Sequence, residues 1–311
     1  MTYLGLSGTF IDEITADIPS QNWGMREWAR EFDLYAEQGL DTVILIRAGS
    51  GARLACPSPA VQRHVAALPV YVDLVRMFLT LAEERGLAFY LGLYDSDYYW
   101  HRYDWQTEVA INREFIAEAW DRYGSSAAFR GWYLPHETTD SSLRIVDINT
   151  ALAEAIREVS DLPILISPYF MGRADISGQR DDRSMPRTVD EHHRVWTEIF
   201  RRYAGLITYC AFQDATVDLL RLEEFTQATV EAAKGSGIEL WSNLETFDRD
   251  MPIRFPPADW RKIAHRLDSV QPHVEKIITF EFAHFMSPYS MWPSAGMLFD
   301  RYREFIAGKQ Q

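Results

Sequence analysis

The 311-residue chain is 47% hydrophobic and 24% charged, the composition of a folded globular protein and not of a disordered one. Its net charge of −14 repels phosphate backbones and anionic headgroups, which removes nucleic acid and membranes from the expected partners. Two cysteines, Cys56 and Cys210, give no disulfide framework and lie in no metal-ligand spacing, and no apolar run approaches the roughly 20 residues that cross a bilayer.

The predicted elements alternate along the chain. Tyr3–Phe10 reads as a short β-rich strand and 24–38 as an amphipathic helix; with no basic, apolar leader ahead of that strand, the expected location is the cytoplasm. Strand Thr42–Arg47 precedes a helix over 69–86, strand Ala88–Tyr94 a helix over 105–123, and strand Gly131–Leu134 a helix over 141–159. In the last of these, Leu152, Ile156 and Val159 recur at helical spacing with Glu154, Arg157 and Glu158 on the other face. Strand Pro163–Ser167 then leads to a helix over 188–203, Leu206–Phe212 to 217–235, Glu239–Leu244 to 257–270 and Lys276–Phe282 to 294–308.

Near-continuous apolar strands, each followed by a helix, imply a parallel sheet covered by helices. Eight such units fit an α/β fold of the (β/α)8 TIM-barrel type, usually ~250 residues plus insertions. An open doubly wound sheet usually carries a glycine-rich first turn; here that turn is "LSGTFIDE", with no G-x-G-x-x-G and no Walker loop. Without linker or low-complexity tract, a single domain over 1–311 is expected. Three connections after strands are longer than the rest, Asp95–Asp104, Phe170–Arg187 and Ala283–Pro293, and long ordered loops in a compact domain are usually functional.

A TIM barrel builds its site where the strands run out. The first strand ends near Asp12 and Glu13, the second at Arg47, and the third at Tyr94 and Asp95, followed by "SDYYWHRYDW" with Trp100 as a candidate substrate wall. The fourth gives His136 and Glu137, the fifth Tyr169, the sixth Gln213 and Asp214, the seventh Asn243 and Glu245, and the eighth Glu281 and His284. The set is rich in carboxylates, amides and aromatics and short of lysine, which suits a polyhydroxyl ligand. Glu137 and Glu245 stand out, because glycosidic bond cleavage needs one carboxylic acid for the leaving oxygen and a second carboxylate across the anomeric carbon. Trp132, Tyr133 and Pro135 supply apolar walls that favour a protonated Glu137. Plainer roles exist for the same residues: Glu137 at a helix start, Asp214 as a helix cap, and Glu281 as a buried acid that needs a partner, with Arg47 as one candidate.

This placement resembles the superfamily of retaining glycoside hydrolases with a (β/α)8 barrel, in which the acid/base glutamate follows strand four and the nucleophile follows strand seven. On that likeness Glu137 is the acid/base, Glu245 the nucleophile, and Arg47 matches an arginine often found at the end of strand two. The motifs "GWYLPHE", "FQD", "WSNLETF" and "FEFAHFMSP" together resemble a bacterial family of glycoside-hydrolase-type barrels catalogued as a domain of unknown function. The chain departs from the superfamily in carrying His136 where an Asn precedes the acid/base, and Phe282 or His284 where a strand-eight tryptophan is usual. The expected function is hydrolysis of a glycosidic bond in a small or oligomeric carbohydrate, with no metal and no cofactor. The alternatives are a metal-dependent sugar isomerase, epimerase or lyase, for which Glu137, Asp214 and Glu281 form an incomplete ligand set, and a non-catalytic carbohydrate-binding barrel.

Overall fold

The computed structural model describes residues 3–309 apart from 16–17, 103, 138–142, 174–185 and 250–254. Eight parallel strands close into a barrel: β1 (Leu6–Ile11), β2 (Thr42–Leu45), β3 (Ala88–Gly92), β4 (Phe129–Leu134), β5 (Ile164–Ile166), β6 (Tyr209–Gln213), β7 (Glu239–Glu245) and β8 (Lys276–Phe280). Each strand lies beside its neighbour in sequence, and β8 closes onto β1. The principal helices are α1 (Met25–Glu37), α2 (Leu74–Arg85), α3 (Trp105–Tyr123), α4 (Leu143–Arg157), α5 (Val189–Tyr203), α6 (Leu222–Ala233), α7 (Trp260–Val270) and α8 (Pro293–Lys309). Among the described residues no helix is long and apolar enough to cross a membrane.

Side-chain caps set where several helices begin. Asp73 accepts from the Arg76 N–H at the start of α2, Asp104 from Thr107 at α3, and Asp259 from Arg261 at α7. Thr188 and Glu191 form a reciprocal capping box at α5. Each such cap stabilises its helix by about 1 kcal/mol. The cap at Asp73 also explains why the helix expected from residue 69 begins only at Leu74. The preceding segment instead holds a small hairpin, Gly49–Ser50 with Arg53–Leu54, and a helical turn, Pro59–Gln62, capped by Ser58. Strand three likewise stops early, at Gly92, and Tyr94–Asp95 pairs in parallel with Gly49–Ser50. A Cβ on Gly92 would strike the carbonyl oxygens of Leu45 and Ile46, so only glycine permits the close approach there.

By contacts the chain groups into two compact units. One comprises Met1–Thr9, Glu137–Leu143 and Ser167–Gln311. Its core includes Trp196 of α5, whose ring meets Phe200 and Phe212 edge-on or tilted, and His192, packed on Phe170, Phe212 and Phe225. The other comprises Phe10–His136 and Arg144–Ile166. There Trp28 of α1 packs edge-on against Phe78 of α2 at 4.9 Å while Phe32 stacks on the same phenyl ring, and all three are fully buried. Burying each ring contributes roughly 2–3 kcal/mol. Both cysteines are buried and free.

Candidate active site

The register of three strands assembles the first cluster, which lies wholly in the unit that contains β6, β7 and β8. Strand alternation puts Trp241, Asn243 and Glu245 of β7 on one face. Asn243 is level with Gln213 of β6, and Glu245 is level with Phe280 of β8. The Asn243 side-chain amide donates to Ser167 Oγ at 3.0 Å, and Ser167 Oγ donates to the Ala211 carbonyl at 2.8 Å. Gln213 Nε2 donates both to the Ser167 carbonyl, at 2.9 Å, and to Glu137 Oε1, at 3.2 Å. Tyr169 forms a parallel bridge to Gln213, which places it beside the same amide.

Glu245 is held at four points. Its Oε1 accepts from Arg249 Nη2 at 2.6 Å and its Oε2 from the Ala215 N–H at 3.1 Å. Its own N–H donates to Asp214 Oδ1 at 3.1 Å, and its carbonyl accepts from Arg266 Nη1 at 2.6 Å. Glu245 is only 1% exposed and Asp214 2%, whereas Glu137 is half-buried. Burial pushes the Asp214 carboxyl up to about 7; the nearby Arg266 guanidinium opposes that shift and the Glu245 charge adds to it. Asp214, expected to bind substrate, is thus packed beneath Glu245 and occupied by its backbone. Glu245 has a guanidinium and a backbone N–H on its two oxygens, and Glu137 has a neutral amide at Oε1.

At the end of β8, Glu281 and His284 are both fully buried and in contact through carboxylate and imidazole. The Glu281 carbonyl accepts from Thr246 Oγ1 at 3.0 Å, and the Phe282 N–H donates to Thr9 Oγ1 at 3.0 Å. The expected strand therefore ends at Phe280, and Phe282–Phe285 is a helical turn. Glu281 finds the partner that a buried acid requires in this imidazole.

A second cluster forms within the other unit. Arg47 Nε donates to Asp95 Oδ2 at 3.1 Å and Arg47 Nη1 to Thr15 Oγ1 at 3.0 Å. Arg47, offered as one candidate partner of Glu281, is paired with Asp95 instead. Asp95 Oδ1 accepts from the Asp97 N–H and the Trp100 indole N–H, both at 2.8 Å. Burial pushes the Asp95 carboxyl up, but Arg47, His136 and these N–H donors outweigh it and hold the group below the ordinary carboxylate range. His136 is buried too, with Nε2 3.0 Å from Glu108 Oε1 and its ring edge-on to Trp100. Tyr94, fully buried, donates its hydroxyl to the Gly51 carbonyl at 2.9 Å and serves the small sheet.

Asp95, Glu108 and His136 bring their ligand atoms within 4.8 Å of one another, a set that invites a metal reading. The donors already present argue against it. Glu108 Oε1 accepts from the Ser96 N–H at 3.1 Å and from Asn112 at 3.4 Å, Oε2 accepts from Ser96 Oγ, and both Asp95 oxygens are bonded as described. A cation there would displace N–H donors and face the Arg47 charge. The cluster is a buried hydrogen-bonded ion-pair network.

Glu108, Arg249 and Arg266 escaped the sequence reading. Glu108 and Asn112 leave a signal, since they are one helical turn apart on the apolar face of α3 with Val109, Ile111, Phe115 and Ile116. Arg249 and Arg266 leave none, because nothing local distinguishes them from surface arginines. Of the long loop expected over Phe170–Arg187, 174–185 lie outside the described residues.

The family model described as "Domain of unknown function (DUF4434)" matches residues 6–292, and the chain belongs to that family. Among solved structures, a candidate alpha-L-fucosidase from Bacteroides thetaiotaomicron VPI-5482 is 39% identical, with a TM-score of 0.92 over 98% of this chain and 94% of that one. A glycoside hydrolase family 5 protein from Bacteroides vulgatus ATCC 8482 is 12% identical, with a TM-score of 0.54 over 90% of this chain and 59% of that one. The beta-glucosidase from Thermotoga maritima is 9% identical, with a TM-score of 0.55 over 86% and 79%. At such identities the last two likenesses are of fold alone. No curated protein matches the sequence.

Proposed function

We propose that this member of the DUF4434 family is a retaining glycoside hydrolase in which Glu137 is the acid/base and Glu245 the nucleophile. The observation that carries the reading is that one short stretch of chain, Gln213 to Ala215, bonds the carboxyls of both glutamates. Gln213 holds Glu137 through a neutral amide, and two residues later the Ala215 N–H, together with Arg249, holds Glu245. A guanidinium and a backbone N–H on the Glu245 oxygens suit it to the charge that a nucleophilic carboxylate carries.

In the first step the Glu137 proton passes to the glycosidic oxygen as a Glu245 oxygen bonds to the anomeric carbon. The carbon–oxygen bond breaks and the aglycone leaves as an alcohol. In the second step the Glu137 carboxylate takes a proton from water, the water oxygen bonds to the anomeric carbon, and Glu245 leaves as a carboxylate. Arg249 and the Ala215 N–H stabilise the charge that returns to Glu245.

The first substrate to test is 4-nitrophenyl α-L-fucoside, because the 39% identical protein is described as a candidate alpha-L-fucosidase; other 4-nitrophenyl glycosides follow. Turnover that survives a chelator, falls at least about a thousand-fold in Glu245→Gln on every substrate and in Glu137→Gln on a glycoside with an unactivated alcohol leaving group, and gives a first product with retained anomeric configuration by proton NMR supports the proposal. Inverted product removes the nucleophile role. Sugar-dependent thermal stabilisation without turnover of any glycoside makes the protein a binder.

A further inference from the structure

The Asp214 carboxyl and the Arg266 guanidinium, side by side, hold the N–H and the carbonyl of Glu245. Asp214 Oδ1 takes the Glu245 N–H at 3.1 Å, and Arg266 Nη1 donates to the Glu245 carbonyl at 2.6 Å. The two also face each other, with Arg266 Nε 3.6 Å from Asp214 Oδ1. Both are buried, and Asp214 Oδ2 and Arg266 Nε have no hydrogen-bond partner among the described residues. We propose that Asp214 is a positioning residue: its ionised form, paired with Arg266, locks the backbone of Glu245 in the orientation that presents the side chain to Arg249 and the Ala215 N–H. This rests on the nucleophile role proposed for Glu245 and adds a control on it.

A strand-end residue has lost the regular ladder on its outer side, so its peptide groups need other partners to stay fixed. For Glu245 those partners are one acid and one base that also neutralise each other. Asp214 comes from the turn after β6 and Arg266 from α7, so the clamp ties the end of β7 to two neighbouring elements. When Asp214 is ionised, the N–H bond is charge-assisted and Arg266 is drawn toward it. When it is protonated, both effects weaken. The charged groups facing Asp214 are Arg266 from α7 and Glu245 from β7, and Arg249 bonds to Glu245 Oε1. Burial pushes the Asp214 carboxyl up to about 7, so the clamp changes state in the neutral range.

The sign is fixed by this account. Activity falls on the acid side as Asp214 takes up its proton. Two readouts on the intact protein test it. The first is kinetic. Asp214→Asn lowers kcat about ten-fold with KM within about two-fold, and the acid limb near neutral pH disappears. The second does not depend on turnover. The Glu245 amide proton resonance shifts with a midpoint near neutral pH in the wild type, shows no such midpoint in Asp214→Asn, and moves to higher pH in Arg266→Gln, where the cation that favours the ionised acid is gone. Arg266→Gln also serves if Asp214→Asn fails to fold. A raised KM with unchanged kcat overturns the proposal by making Asp214 a substrate ligand. An amide midpoint that persists in Asp214→Asn, or moves down in Arg266→Gln, overturns it as well. If no glycoside is turned over, the proposed hydrolysis fails, and the amide titration still decides whether Asp214 governs Glu245.

Discussion

Gln213 and Glu137 are joined by a hydrogen bond of 3.2 Å from Nε2 to Oε1, and the same amide is anchored on the Ser167 carbonyl. Removing that donor in Gln213→Met is expected to lower kcat by about 10- to 100-fold through lost positioning. The alkaline limb of the rate profile moves to higher pH, because an N–H that favoured the carboxylate is gone. Gln213→Glu sets two acids side by side and moves that limb further. An alkaline limb that stays put in both variants would separate Glu137 from the proton-transfer role.

Arg249 stands to Glu245 as a nearly buried counterion, with Nη2 2.6 Å from Oε1. Arg249→Met leaves a buried carboxylate with one N–H for company. Turnover at neutral pH is expected to fall at least about 100-fold, and Arg249→Lys recovers part of the loss. The check is kcat/KM across pH for the three proteins. Equal rates in Met and wild type would show that the ion pair is a surface ornament.

Glu108 and His136 are fully buried partners, and Glu108 also satisfies Ser96 and Asn112. Glu108→Ala strands all of these donors and is expected to cost about 3–5 kcal/mol of stability, read as a lowered melting temperature and denaturant midpoint. Glu108→Gln keeps an acceptor and costs less. Because the carboxylates of this cluster already serve N–H and O–H donors, EDTA is expected to leave the melting temperature unchanged. A fall in melting temperature with EDTA, reversed by one divalent ion, would assign the cluster to a metal.

His192 is buried among aromatic rings with Nε2 2.8 Å from Thr229 Oγ1, and burial, helped by the charge of His193, pushes it down to about 3 from the ordinary 6.5. The unfolded chain therefore binds this proton first as pH falls. The neutral imidazole is fully compatible with the fold above about 6.5, and stability is lost progressively from there down to about 3, by a few kcal/mol in all. Asp214 acts in the opposite sense: its raised value makes the folded state less stable as pH rises from about 4 to about 7. Equilibrium urea unfolding at pH 4, 5.5 and 7 is expected to show a shallower acid loss in His192→Phe than in the wild type. Identical slopes would mean that another group carries the acid sensitivity.

The alternation of apolar runs with helical-period segments determined the barrel, because a parallel strand buried on both faces is legible in a stretch as short as "ELWSNLE". It also determined that Glu137 and Glu245 stand where strands four and seven run out, since strand ends need only local pattern to find. Local pattern misplaced the boundaries after strand two, where Asp73 and not Pro69 begins the helix, and after strand three, where Gly92 allows the backbones to crowd. What the strand-end residues do once placed was decided by tertiary structure alone. Asp214 and His136 read as ligand-facing polar residues and are in fact buried, one under the Glu245 backbone and one against Glu108. Arg249 and Arg266 carry no mark in the sequence at all. The physical reason is that burial, pairing and charge state depend on which distant groups register and helix packing bring within about 3 Å, and hydrophobic periodicity holds no record of a polar residue's partner.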